Sequence, residues 1–379
     1  MAKSTRAIPI DLALQGGGAH GAFTWGVLTR FVEDRSFEIV AISGTSAGAM
    51  NAVALAQGLA EGRPERVGEL LGEFWQRVAE VAAFSPVQRG VIDRMLGRWS
   101  MDFSFGYVAA QQWQSMLSPY QWNPLNINPL RKIVEQTFDF DIVNSEAAPK
   151  IFQSATNVRT GRRRIFRKGE ISTLTTLASA CLPSLYHAVE LDGEHYWDGG
   201  YMGNPPLLPL LNESDGRDIL LVQINPFVRD ALPSNAAEIA NRINEITFNA
   251  SLIHELRTVG LLKQIIDDEG LERPAYVDGR LHAIPAAEAM LKLNVSSKMN
   301  PEPQFLRYLH DLGRAAAEHW LSEHAADVGL RSSWVPREVL EDIRTPAHLS
   351  SDYVPRTSLD DDTVGKDEID GDETTKAAE

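Results

Sequence analysis

Among 379 residues there is one cysteine, Cys181. A single thiol excludes an intrachain disulfide and a cysteine-built zinc site, and it gives no sign of an oxidising compartment. Long apolar runs are also missing. No stretch reaches the roughly 18 uncharged apolar residues that a membrane-spanning helix needs. The short apolar run near the N-terminus is broken by Asp11 and followed at once by glycines, so it reads neither as a signal peptide nor as a span. Cytoplasmic residence is the expectation. Basic residues are in deficit, with 36 Lys and Arg against 51 Asp and Glu and a formal charge of −15. That balance argues against general affinity for nucleic acid. Nine acids and two bases fall between Asp360 and Glu379, so about half of the excess sits in a tail where apolar residues thin out and order is not expected.

What is present is ordinary for a globular chain, 44% hydrophobic and 23% charged. A chain this long buries a core without covalent staples. Residues 8–14 read as a short buried strand that runs into Gly16-Gly17-Gly18 and then into an apolar helical pattern through Ala22, Trp25, Val27, Leu28 and Phe31. The pattern repeats: residues 37–42 form a second strand, 44–48 a second small-residue turn and 49–59 a second helix. Two successive βα units predict a parallel sheet with helices on its faces. Irregular helical text follows over 66–120, crowded with aromatic residues and methionines. Strands return at 150–157 and 163–166, a hairpin over 188–197 turns at Asp192-Gly193, and a further buried strand covers 219–224. A long amphipathic helix over 235–266, a short strand around 281–284 and a helix over 304–324 complete the pattern.

Three motifs bear on chemistry. Gly44-Thr45-Ser46-Ala47-Gly48 fits G-x-S-x-G between a strand and a helix, the context in which a sharp turn presents a serine hydroxyl at the head of a sheet. The following helix adds partial positive charge near that hydroxyl; a serine that merely caps the helix would leave the same letters. The run Gly16-Gly17-Gly18-Ala19-His20-Gly21 stands at the equivalent turn 28 residues earlier, where glycines expose successive backbone N–H groups to one point, as an oxyanion requires. The same letters fit G-x-G-x-x-G, so a Rossmann-like protein binding NAD(P) or another nucleotide is the alternative. That reading wants an acid after the second strand, and Glu38 sits at the strand's start instead. The third motif is Asp198-Gly199-Gly200, an acid leaving the hydrophobic hairpin at Tyr196-Trp197, although Asp-Gly is also among the commonest turn pairs. No histidine carries a local signature of a general base; His20 is the one inside a motif.

Glycine-rich loop, G-x-S-x-G and Asp-Gly-Gly, in that order and with the first two opening consecutive βα units, resemble the patatin-like phospholipases. The resemblance covers residues 8–211 and includes Ala155-Thr156-Asn157, Ser179-Ala180-Cys181-Leu182-Pro183 and Asn204-Pro205. It implies a three-layer α/β/α sandwich with a mostly parallel central sheet and a serine lipid acyl hydrolase with a Ser-Asp dyad. Ser46 is then the nucleophile, Asp198 the base, and the backbone of Gly16, Gly17, Gly18 and Ala19 the oxyanion hole. Gly21, Gly44, Gly48, Gly199 and Gly200 are motif glycines. The substrate is a lipid ester, and no metal or cofactor is called for. Gln15 stands where members usually have Asp or Ser, and His20 where Arg or Lys is common, which leaves no fixed positive charge in the loop.

The expected organisation is a catalytic domain over 8–211, a mainly helical extension over 212–345 packed on it, and the acidic tail 346–379. Two surface features remain open. The basic hairpin with Arg162, Arg163 and Arg164 suits either peripheral contact with membrane headgroups or a solvated strand face. The aromatic and methionine cluster from Phe74 to Met116 suits either core or lipid contact.

Overall fold

Strand β1 (Ile8–Leu14) alternates its side chains across a sheet, sending Ile10, Leu12 and Leu14 into one buried layer and Ala13 into the other. The structure, a computed structural model, describes residues 7–230, 232–269 and 279–336. The tail 346–379, with its expected lack of order, lies outside the described residues. β1 pairs in parallel with β2 (Phe37–Gly44) and, on its other edge, with β7 (Asp218–Val222). Parallel pairing continues from β2 to β3 (Lys150–Asn157) and from β7 to β8 (Arg280–Ile284). Three antiparallel strands, β4 (Arg163–Arg167), β5 (Val189–Leu191) and β6 (Glu194–Asp198), gather around β3. The order is β5-β6-β3-β2-β1-β7-β8, with β4 paired to β3 off this path.

Helices cover both faces. One layer holds α1 (Gly21–Asp34), α2 (Ala47–Ala60), α3 (Glu65–Ala82) and the helix Pro303–His324, packed on Leu12, Ile42, Leu220 and Val222. The other holds the helices Leu208–Glu213 and Ala236–Glu269 on Ala13, Ala41, Ile219 and Leu221. The result is the three-layer α/β/α sandwich with a mostly parallel sheet. Two of the eight strands among the described residues, β7 and β8, come from beyond residue 211, and β7 is inserted between β1 and the edge strand β8. The chain after 211 therefore supplies sheet as well as helices.

The register of β3 decides where the site lies. Its first half, Lys150 to Gln153, pairs with β2, and Gln153 stands opposite Gly44. Its second half pairs with β6, and Ala155 stands opposite Asp198. Because β4 runs along both halves from the other edge, β2 and β6 share one edge of β3, β6 taking over where β2 ends. The chain leaving β2 at Gly44 and the chain leaving β6 at Asp198 are thus brought to one point.

The aromatic cluster is divided. Phe74, Trp75 and Met101 are core, whereas Phe84, Phe103, Phe105, Trp113 and Met116 are exposed.

Candidate active site

The turn from β2 into α2 puts Ser46 at φ 55°, ψ −121°, a left-handed region that costs a non-glycine residue of order 1–3 kcal/mol. Surrounding bonds impose it. Thr45 Oγ1 donates to the Gly203 carbonyl at 2.6 Å, the Ser46 amide donates to Ser179 Oγ at 2.9 Å, and the Gly48 amide closes the turn on the Thr45 carbonyl at 2.8 Å. Gly44 and Gly48 let the strand and helix cross here: a Cβ on Gly44 would lie 2.4 Å from the Gly48 carbonyl oxygen, and one on Gly48 2.1 Å from that of Leu14. Ser46 is half-buried at the start of α2.

The glycine loop passes directly over this turn. A Cβ on Gly16 would lie 2.5 Å from the Thr45 carbonyl oxygen and 2.9 Å from Ser46 Cβ, and one on Gly21 2.7 Å from Ala47 Cβ. The Gly16 amide already donates to Asn204 Oδ1 at 2.7 Å, and its carbonyl accepts from Asn225 Nδ2 at 2.9 Å. The amides of Gly17, Gly18 and Ala19 have no hydrogen-bond acceptor among the described residues. Gly18 takes φ +59° beneath the Lys298 carbonyl. Gln15, buried at the end of β1, anchors the loop from below: its Oε1 accepts from the amides of Ile224 and Asn225, and its Nε2 donates to Asn249 Oδ1, all at 2.8 Å. A neutral amide serves both ends of this network, donating and accepting.

Asp198 is wholly buried. Its amide donates to the Cys181 carbonyl at 2.8 Å, and its Oδ1 accepts from the Gly200 amide at 2.7 Å. Oδ2 is buried with no hydrogen bond of its own, while the Ser46 side chain lies within interaction range of the carboxylate. Burial pushes this carboxyl up to about 6 against the opposing pull of the Gly200 amide, Ser46 and the Lys298 ammonium. Gly199 sits on the Ser154 carbonyl and Gly200 against the Phe248 ring, so neither place admits a side chain.

Lys298 carries no sequence signal. It comes from the short 3-10 turn Val295–Met299, with its carbonyl on Gly18, its Nζ donating to Asn244 Oδ1 at 3.0 Å, and its ammonium 5.7 Å from the Phe248 ring centre. Burial lowers it to about 8, and it and Asp198 act on each other's ionisation. Positive charge thus reaches the site from the C-terminal half rather than from position 20. His20 is buried and held down to about 3 by desolvation and by the cations of Lys298 and Arg229; its Nε2 is 2.7 Å from Ser297 Oγ, away from Ser46. Cys181 is a buried thiol pushed up to about 12, donating to the His187 carbonyl at 3.1 Å.

The arginines of the basic hairpin are largely committed within the chain. Arg163 pairs with the buried Glu255, Arg164 with Glu170, Arg159 with Glu194 and Arg167 with Glu213. Only Arg162 of the three singled out has no ion pair among the described residues. A cavity of about 810 Å³ between α3 and the start of the helix Pro303–His324, lined by Trp25, Trp75, Ala79 and Leu306 among others, includes neither Ser46 nor Asp198. It lies apart from the chemistry.

A family model described as patatin-like phospholipase matches residues 12–211. A search of curated proteins finds no match. Among solved structures the chain is similar to VipD from Legionella pneumophila, with 12% identity and a TM-score of 0.41 over 84% of this chain and 67% of that one. It is also similar to the type III effector protein ExoU, with 14% identity and a TM-score of 0.31 over 84% of this chain; it spans 53%, about half, of ExoU's length. The family match runs from β1 through the Ser46 turn and Asp198 to the helix Leu208–Glu213, more than half of the 379 residues, and the chain belongs to the patatin-like phospholipase family.

Proposed function

We propose that the protein hydrolyses a carboxylic ester of a lipid by a Ser46–Asp198 dyad. Family membership supports lipid hydrolysis; the assignment of roles rests on the convergence of the two strand ends at β3, which sets a strained serine beside a buried carboxylate with an uncommitted oxygen. Asp198 takes the Ser46 proton as Oγ attacks the ester carbonyl carbon. The amides of Gly17, Gly18 and Ala19 receive the developing oxyanion; Gly16, whose amide is spent on Asn204, positions the loop instead. Collapse breaks the C–O bond, and the proton on Asp198 goes to the departing alcohol. Water then attacks the acyl-enzyme with its proton taken by Asp198, which returns it to Ser46 as the carboxylic acid forms. A base near 6 suits an alcohol leaving group at neutral pH.

The test is covalent labelling by a fluorophosphonate together with turnover of a panel of phospholipids, acylglycerols and soluble esters. Wild type should label and Ser46→Ala should not, with turnover down about 10⁴-fold or more. Labelling that persists in Ser46→Ala, or more than a tenth of the turnover retained, would remove Ser46 from this role.

A further inference from the structure

From Phe103 to Leu130 the sequence holds no Asp, Glu, Lys or Arg, in a chain that is 23% charged. The helix Phe105–Met116 within this stretch has no buried residue. Phe105 is 89% exposed, Trp113 62%, Met116 77% and Leu125 81%, and Phe103 and Ile127 are also exposed. So much contiguous sequence with apolar side chains in water is costly unless something covers it.

The stretch is tied at both ends to the walls of the site. Before it, the Met101 amide donates to Ser296 Oγ at 3.0 Å, and Asn300 Nδ2 donates to the Trp99 carbonyl at 3.0 Å. Ser296 belongs to the turn that lays Lys298 on Gly18. Near its far end, the Tyr120 ring stacks on His187 at 4.1 Å and its hydroxyl accepts from the Ala188 amide at 3.2 Å. The His187 carbonyl receives the Cys181 thiol, and the Cys181 carbonyl receives the Asp198 amide. One anchor thus leads to the glycine loop and the other to the dyad acid.

We infer that the segment Phe103–Leu130 seats the enzyme on an electrically neutral lipid surface, so that the Ser46–Asp198 site lies against the layer that holds its substrate. This deepens the reading above and rests on it. The chemistry names the surface: Trp, Tyr and Phe among Gln, Ser and Asn suit the boundary between headgroups and acyl chains, and a segment without charge gains nothing from anionic lipid. The rest of the molecule, at −15 overall, is repelled by an anionic layer. The basic hairpin is a poorer anchor because Arg163 and Arg164 are paired internally.

The experiment measures cosedimentation of the full chain with phosphatidylcholine vesicles, in the Ser46→Ala background so that the vesicles stay intact. It compares that protein with one also carrying Phe105→Ser, Trp113→Ser and Met116→Ser. All three side chains are exposed, so an unchanged melting temperature is expected. Binding should fall by about tenfold or more with the triple change and should barely respond to added salt. In the active protein the same change should slow vesicle hydrolysis to a similar extent and leave a soluble short-chain ester unaffected. Absent or unaltered vesicle binding, or binding abolished by salt, would overturn the inference. So would equal losses on vesicle and soluble substrates, or a dimer in sedimentation velocity that the triple change converts to monomer. If no ester of any kind is turned over while binding behaves as expected, the proposed hydrolysis falls and the docking surface stands. Turnover of soluble ester without vesicle binding gives the reverse.

Discussion

Asp198 carries the sharpest expectations at the scale of single residues. Asp198→Asn keeps the shape and the Gly200 contact but cannot accept a proton, so it should be nearly as damaging as Ser46→Ala. No folded histidine variant should match it, and His20 is the strictest comparison because it adjoins the glycine loop yet bonds Ser297. A folded His20→Ala protein with activity as low as that of Asp198→Asn would point to a triad. If Asp198 is the base proposed above, its ionised form is the active one, so kcat/KM should rise as pH climbs through about 6 and level off above it. Lys298 helps to hold Asp198 ionised, so Lys298→Met should move that acidic limb to higher pH, while Lys298→Arg, which keeps the charge, should move it less. An unmoved limb in Lys298→Met would confine Lys298 to packing. Ser46 and Asp198 could be singled out from local letters because the roles proposed for them require particular neighbours in the chain. Asn204 and Ser179 were legible only as letters of the family resemblance, because the bonds that give them a place, to Gly16 and Ser46, span 188 and 133 positions. Lys298 was not legible at all, since its contacts with Gly18, Asn244 and Asp198 all lie 54 or more positions away.

Among elements, the most consequential link is between β4 and the helix Ala236–Glu269. Arg163 on β4 reaches Glu255, whose other oxygen accepts from the amides of Leu207 and Leu208 at the start of the helix Leu208–Glu213. The pair fixes the strand that runs beside β3 and the segment that leaves the Asp198 turn. A carboxylate at a helix start is favoured by the unpaired amides there. Arg163→Met would strand Glu255 as a buried charge and should cost about 3 kcal/mol, read by chemical or thermal unfolding. The double change Arg163→Met with Glu255→Gln should recover part of that loss. No recovery would mean that the arginine acts through packing alone. From the sequence these arginines suited either headgroup contact or a solvated strand face; the acids that pair with Arg163 and Arg164 stand 92 and 6 residues away, which composition does not disclose.

For the whole molecule, the sheet cannot be cut where the family match ends. A chain stopped after Leu211 loses β7, which pairs with β1, and β8 beyond it. It also loses the helix Pro303–His324, whose Gly313 touches the Phe23 carbonyl of α1 so closely that a Cβ would lie 2.0 Å away. The exposed edge of β1 is a template for aggregation, so the 1–211 protein should be insoluble or lack a cooperative transition. A soluble, active 1–211 protein would show that the later strands are dispensable. A chain ending near Pro346 should keep full activity, because Ser46, Asp198 and the residues that hold them all lie before that point; turnover and melting of that protein are the check.

The order of strands and helices, the two βα turns and the residues at them were determined by the sequence alone, because turn chemistry and hydrophobic period are local properties that neighbouring residues express together. Even the strands near 219 and 282 were visible. That the first pairs with β1 and the second with the first, in the same sheet, was decided by strand pairing, which depends on partners more than 60 residues apart. The tertiary structure likewise decided which aromatic residues between Phe74 and Met116 are core and which face water. Side chains of the same hydrophobicity take either place, and only the packing of other elements against them settles it.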